Sequence, residues 1–166
     1  MSMEREHATR RAGQEGESIR PPAGALVRVT RRLHFSSAHR LGRADWPDER
    51  NREVFGLCAN PNWHGHNYEI DVTVEGPVDP ETGYVIDLKA LRELVERRVI
   101  NDLDHRNLNI DVPWLERVNP TTENLVIKIW NRIVDQLPQH MRLVRLVLHE
   151  TARNSVEYTG ERTDNG

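Results

Sequence analysis

The stretch Cys58-Ala-Asn-Pro-Asn-Trp-His64-Gly-His66-Asn-Tyr68 carries the chain's single cysteine and two of its eight histidines. A His-X-His on its own is a weak signal, since a His-rich loop that binds nothing has the same sequence. In an extended strand, however, residues i and i+2 project from one face, so His64 and His66 can aim at a single ion. Imidazole is a preferred zinc ligand, and a catalytic zinc takes three protein ligands and leaves a fourth position open. His39, at the end of an earlier strand pattern, supplies the third ligand if that strand and the one starting at His64 pair as an antiparallel hairpin. The open position would then take water or a substrate oxygen, with Zn2+ acting as a Lewis acid.

Other residues could add proton transfer and ligand anchoring. Cys58 reads in two ways: a small buried hydrophobe, or a thiol acidified by a nearby metal and usable as base or nucleophile. Asp104-His105 offers a second titratable pair, or merely caps a loop. Glu150 continues the apolar parity of a late strand and is either a surface carboxylate or a buried one that needs a partner. A ligand with two adjacent N–H donors would satisfy both of its oxygens. Thr121 and Thr122 open a helix whose first N–H groups are unspent, and Glu123 follows in its first turn.

These residues need a frame. Leu26 to Ala38 reads as a strand, with Val27, Val29, Leu33, Phe35, Ser37 and His39 on one parity. His64 to Val78 reads as a second strand, with His64, His66, Tyr68, Ile70, Val72 and Val74 sharing a face. Between them lies a long connection, Arg40 to Trp63, holding a short helix from Glu49 to Phe55. Pro80-Glu-Thr-Gly83 has turn chemistry and leads into a short strand, Tyr84-Val-Ile86. Asp87 caps a helix from Leu88 to about Asp102, with Leu88, Leu91, Leu94, Val95, Val99 and Leu103 inward. After a polar loop from Asp104 to Asn109, Thr121 or Thr122 caps a second helix whose buried face runs from Leu125 to Leu137. Leu143 to Thr151 and Ser155 to Thr159 close the chain as strands, with Val144, Leu146, Leu148 and Glu150 on one face.

The 166 residues suit one domain with polar ends: a disordered tail over 1–24, a folded domain over 25–161, and a short tail over 162–166. A net charge of −3, with basic and acidic residues interspersed, argues against nucleic acid. No apolar run is long enough for a membrane span, and the first residues lack a signal-peptide core. One cysteine cannot close an intrachain disulfide, which fits a reducing, cytoplasmic setting.

The ordered set of motifs resembles the 6-pyruvoyltetrahydropterin synthase family and its bacterial relatives. It comprises Phe35-Ser-Ser-Ala-His39, Cys58-x5-His64-Gly-His66-Asn-Tyr68, Asp79-Pro-Glu-Thr-Gly83, Leu103-Asp-His-Arg-Asn-Leu108, Pro120-Thr-Thr-Glu-Asn124 and His149-Glu-Thr151. The resemblance implies an α+β tunnelling fold: an antiparallel four-stranded sheet with two helices on one face. It also implies that three sheets join into a barrel and that two trimers stack as a homohexamer. It carries zinc ligation to His39, His64 and His66, catalysis to Cys58, Asp104 and His105, and pterin anchoring to Glu150 beside Thr121, Thr122 and Glu123. The implied reaction converts 7,8-dihydroneopterin triphosphate to 6-pyruvoyltetrahydropterin with loss of triphosphate.

Two other readings share these residues. One is 6-carboxytetrahydropterin synthase of queuosine biosynthesis; the other is a non-catalytic, zinc-stabilised pterin-binding oligomer. The carboxy enzymes resembled here usually space the cysteine about three residues from the His-Gly-His, whereas five intervene in this chain. Trp63 is a departure, standing where the family pattern has a small residue.

Overall fold

The computed structural model describes residues 24–160. The tails expected over 1–24 and 162–166 lie outside those residues, apart from Gly24.

Two long strands, β1 (Leu26–His39) and β2 (His64–Pro77), pair antiparallel over their whole length, from Leu26 opposite Pro77 to His39 opposite His64. Alternation turns Leu33, Phe35, Ser37 and His39 of β1 and Tyr68, Ile70, Val72 and Val74 of β2 toward the core. The other face is polar: Arg32 grips Asp71 and Glu69, Thr30 meets Thr73 at 2.9 Å, and Arg28 and Arg142 both hold Glu75.

A two-residue strand, β3 (Arg106–Asn107), lies parallel to β1 beside Ser37 and Ala38, while β4 (Arg142–His149) and β5 (Ser155–Tyr158) extend the other side antiparallel. The order is β3-β1-β2-β4-β5. The sheet therefore has five strands where four antiparallel ones were expected: β1, β2, β4 and β5 run antiparallel, and β3 is parallel at one edge. Two residues are too few to show alternation, so this stretch reads as loop until His105 N–H and Leu108 N–H donate to the Ser36 and Ala38 carbonyls.

Two further expectations fail locally. Tyr84 to Ile86 form no strand, because the Asp79 carboxylate caps the turn at Glu81 and Thr82, and the Tyr84 carbonyl is spent on Asp79 N–H. A register irregularity opposite Thr73 and Val74 drops Val144 from the buried set and puts Leu143 there with Leu146 and Leu148.

Helix α1 (Asp48–Phe55) and the 3₁₀ turn Gly56–Ala59 occupy the long connection. Helix α2 (Leu88–Val95) starts at Asp87, whose side chain accepts from Lys89 N–H, and a π turn over Glu96–Ile100 joins it to α3 (Asn101–Leu103). The π turn has a reason in the sequence. Buried Leu91, Val95, Val99 and Leu103 recur every four residues, which drifts about 40° per step round an α-helix. A wider turn takes back that drift and keeps the stripe on one face. Leu88, expected in the stripe, is instead 41% exposed at the helix start.

Helix α4 (Thr122–Ile133) is capped by Thr121 and buries Leu125, Val126, Ile129, Trp130 and Ile133. α2 packs on β1 and α4 on β4 and β5, closing one core over one sheet face. No helix among the described residues is long and apolar enough to cross a membrane.

Candidate metal centre and surrounding site

The β1–β2 ladder ends at His39 opposite His64, and His66 follows on the same parity. Strand geometry alone thus brings three imidazoles to one end of the core face. Their nearest ring nitrogens lie within 4.8 Å of one another. His39 is buried, and its Nδ1 lies 2.9 Å from the Pro120 carbonyl. A carbonyl only accepts, so Nδ1 carries the proton and Nε2 turns a lone pair toward the cluster. That Nε2 lies 2.9 Å from His64 Nε2.

Burial, followed for His39 by repulsion from His64 and His66, holds its pKa below the ordinary histidine range despite the Pro120 contact. His64 is lowered chiefly by burial and then by His66. Three imidazoles converging in a partly desolvated pocket, with His39 and His64 favoured in their neutral form, are a donor set that fits zinc. The buried His64 Nδ1 has no hydrogen-bond partner among the described residues.

Glu150 follows the end of β4. Its Oε1 lies 3.9 Å from His39 Nε2 and 3.8 Å from His66 Nε2, and accepts from Thr122 Oγ1 at 2.9 Å. The side chain is therefore turned to the imidazole cluster rather than to open solvent. Thr121, Thr122, Glu123 and Glu150, with Leu41 and Arg153, line one depression of about 580 Å³. All four expected pterin-contacting residues meet there.

Asp104 and His105 form a pair, with His105 Nδ1 2.9 Å from Asp104 Oδ2. The other carboxylate oxygen accepts from Ser36 N–H at 2.8 Å. That backbone donor, and then His105, hold the Asp104 carboxyl below the ordinary range. His105 has φ +57°, and its ring is 83% exposed. It lines a second depression with Ser36, His66 and Asn67. Cys58 sits half-buried in the Gly56–Ala59 turn, tied by Leu41 N–H to its own carbonyl at 2.8 Å. Its sulfur is outside the imidazole cluster. Within one chain, then, Glu150 and the three histidines meet, His105 shares a depression with His66, and Cys58 is in neither group.

Two contributors, the Pro120 carbonyl and Tyr68, receive no role from the residue pattern, and Trp63, only a departure in that pattern, has an unusual backbone. The Pro120 carbonyl orients His39, and no side-chain pattern announces a backbone oxygen. Tyr68 is fully buried, stacked on Phe35 at 4.9 Å, with its hydroxyl 3.5 Å from His39 Nδ1. Burial pushes that phenol far above its ordinary pKa, so it stays protonated. Its shared parity with His64 and His66 is a visible signal, but equally one of plain core. Trp63 takes φ +65° immediately before His64.

Comparison with known proteins agrees with this frame. The sequence model described as 6-pyruvoyl tetrahydropterin synthase matches residues 28–161. The chain is 44% identical over 141 residues to the 6-pyruvoyl tetrahydrobiopterin synthase of Poecilia reticulata, covering 85% of this chain and 95% of that protein. It is also 44% identical over 135 residues to the protein of that name from Homo sapiens, covering 81% and 92%. The solved structure of 6-pyruvoyl tetrahydropterin synthase from Caenorhabditis elegans superposes with a TM-score of 0.76 at 36% identity, covering 82% of this chain and 97% of that one. With matches this complete in both directions, the chain belongs to the 6-pyruvoyl tetrahydropterin synthase family.

Proposed function

We propose that this protein is a zinc-dependent 6-pyruvoyltetrahydropterin synthase acting on 7,8-dihydroneopterin triphosphate. The observation that carries the reading is the convergence of His39, His64 and His66 beside Glu150, in a chain that spans nearly the full length of relatives bearing the synthase name. The reaction needs no external oxidant. Triphosphate leaves with the C–O electron pair as a proton is lost from the neighbouring carbon, and the resulting enol becomes a methyl ketone. Two hydrogens then pass formally from the remaining carbinol to the ring C=N bond, giving the second ketone and the tetrahydro ring.

His39, His64 and His66 would hold the zinc, which when bound supplies Lewis acidity to the side-chain oxygens. Glu150, Thr121, Thr122 and Glu123 hold the pterin ring in their common depression, the carboxylates accepting from ring N–H groups. Cys58 acts as the base that takes the carbon-bound proton, and His105, oriented by Asp104, returns protons to the ring. As the family resemblance implies, Cys58 and His105 meet across a subunit boundary. On the same resemblance we assign a homohexamer of two trimers, with sheet edges joined into a barrel.

Incubation of the zinc-loaded protein with the triphosphate substrate tests the reading by product mass. A 6-pyruvoyl product with equimolar triphosphate supports it; a 6-carboxy product with acetaldehyde assigns the carboxy reaction instead, and no turnover leaves the pterin-binding oligomer.

A further inference from the structure

The β1–β2 ladder stops at His39 and His64, and the chains diverge at the next residue on each side, Arg40 and Trp63. Between them lies a cavity of about 270 Å³ that Arg43, Trp46, Asn51 and Asn109 also line. Trp63 has a backbone conformation that glycine adopts at no steric cost and a large side chain does not. A tight turn enforces it: Trp63 N–H donates to the Asn60 carbonyl at 3.1 Å, and Asn62 N–H to the Asn60 side chain at 3.0 Å. Such strain at a site edge points to a use for the side chain.

The charges in the cavity are unequal in effect. Arg43 is chelated by Asp45 through two contacts of 3.0 and 2.8 Å, which makes a neutral pair. Among the described residues the Arg40 side chain makes one hydrogen bond, from Nε to the Ala59 carbonyl at 3.0 Å. Its Nη2 stands 3.9 Å from Asp48, beyond hydrogen-bond length, and that carboxylate is 76% exposed to screening water. Arg40 is thus a cation fixed in place whose terminal nitrogens remain available, one residue from His39.

We propose that this cavity binds the polyphosphate end of the substrate, with Arg40 as its charge partner and the Trp63 indole as the wall that shapes it. The proposal rests on the pterin-triphosphate reading above. An anion held there lays the intervening carbon chain along the histidine cluster. The guanidinium also donates to oxygens whose negative charge grows as the C–O bond breaks. Asn51 and Asn109, whose side chains brace the backbone at Arg43 and Arg40, keep the walls in place.

The test is titration calorimetry on the zinc-loaded, full-length protein with inorganic triphosphate, and in parallel with phosphate-free dihydroneopterin. Wild type should bind both. Arg40→Ala should weaken inorganic triphosphate by at least about tenfold and leave dihydroneopterin unchanged. Trp63→Gly, which keeps Arg40, should also weaken triphosphate and spare the phosphate-free pterin. Arg145→Ala, removing a cation paired with Glu157 on the sheet's polar face, should alter neither. No triphosphate binding by wild type, or equal binding by wild type and Arg40→Ala, overturns the proposal. So does equal loss of both ligands. If Arg40→Ala does not fold, Trp63→Gly decides by the same comparison. A wild type that binds triphosphate through Arg40 but does not turn over the pterin triphosphate sinks the synthase reading and leaves the anion site standing.

Discussion

At the scale of residues, the proposed centre gives metal holding and proton transfer to different side chains, so they should separate on mutation. Cys58→Ala removes a half-buried thiol outside the imidazole cluster. It should keep the metal and the fold while turnover falls by roughly 10²–10⁴-fold, the usual span for a lost general base; steady-state kinetics beside metal analysis checks both. His64→Ala removes a proposed ligand and should take bound zinc from about one per chain to near none, read by elemental analysis of the purified protein. Normal zinc in that variant would defeat the ligand assignment. The meeting of His39 with His64 and His66 was legible because strand parity is strict. The role of Pro120 was not, because the orienting group is a carbonyl brought in by α4's entry loop. Trp63 was visible as an oddity, but its left-handed backbone, costing about 1–2 kcal/mol, follows from turn closure that sequence does not display.

At the scale of elements, the β1–β2 hairpin carries the site, and its buried face carries the hairpin. Tyr68 lies fully buried against Phe35 two positions beyond His66. Tyr68→Ala should cost about 3–5 kcal/mol by denaturant unfolding, the range for deleting a buried aromatic ring. On the opposite face, hydrogen bonds from Arg32 chiefly, then His149, hold Asp71 below the ordinary carboxylate range. The folded state therefore binds that proton less readily than the unfolded chain. Its stabilisation is complete above the unfolded carboxylate pKa of about 4 and is lost as pH falls through the lower folded value. Urea midpoints should drop on acidification below about pH 4, and Asp71→Asn should make that drop shallower. Long, strongly alternating strands such as β1 and β2 were readable with their faces. β3 was not, since two residues carry no period, and Val144 was misassigned because a register irregularity reverses parity beyond it.

At the scale of the molecule, the described residues of one chain leave much of β1's outer edge and all of β5's unpaired. Open edges of this length are ordinarily covered by something. In the proposed barrel the cover is another copy, and Cys58 and His105 then belong to one centre contributed by two chains. Hexamers reassembled from Cys58→Ala and His105→Ala chains should accordingly regain part of the activity that each pure variant lacks, because some boundaries pair two intact groups. Full inactivity of well-assembled mixtures would place both groups in one chain. No single-chain pattern could supply that arrangement, which depends on how edges meet. The most direct measurement remains the product formed from 7,8-dihydroneopterin triphosphate by the zinc-loaded protein, followed by mass spectrometry with triphosphate quantified alongside. The predicted result is 6-pyruvoyltetrahydropterin with one triphosphate released per turnover and no acetaldehyde; a 6-carboxy product with acetaldehyde, or unchanged substrate, would contradict it.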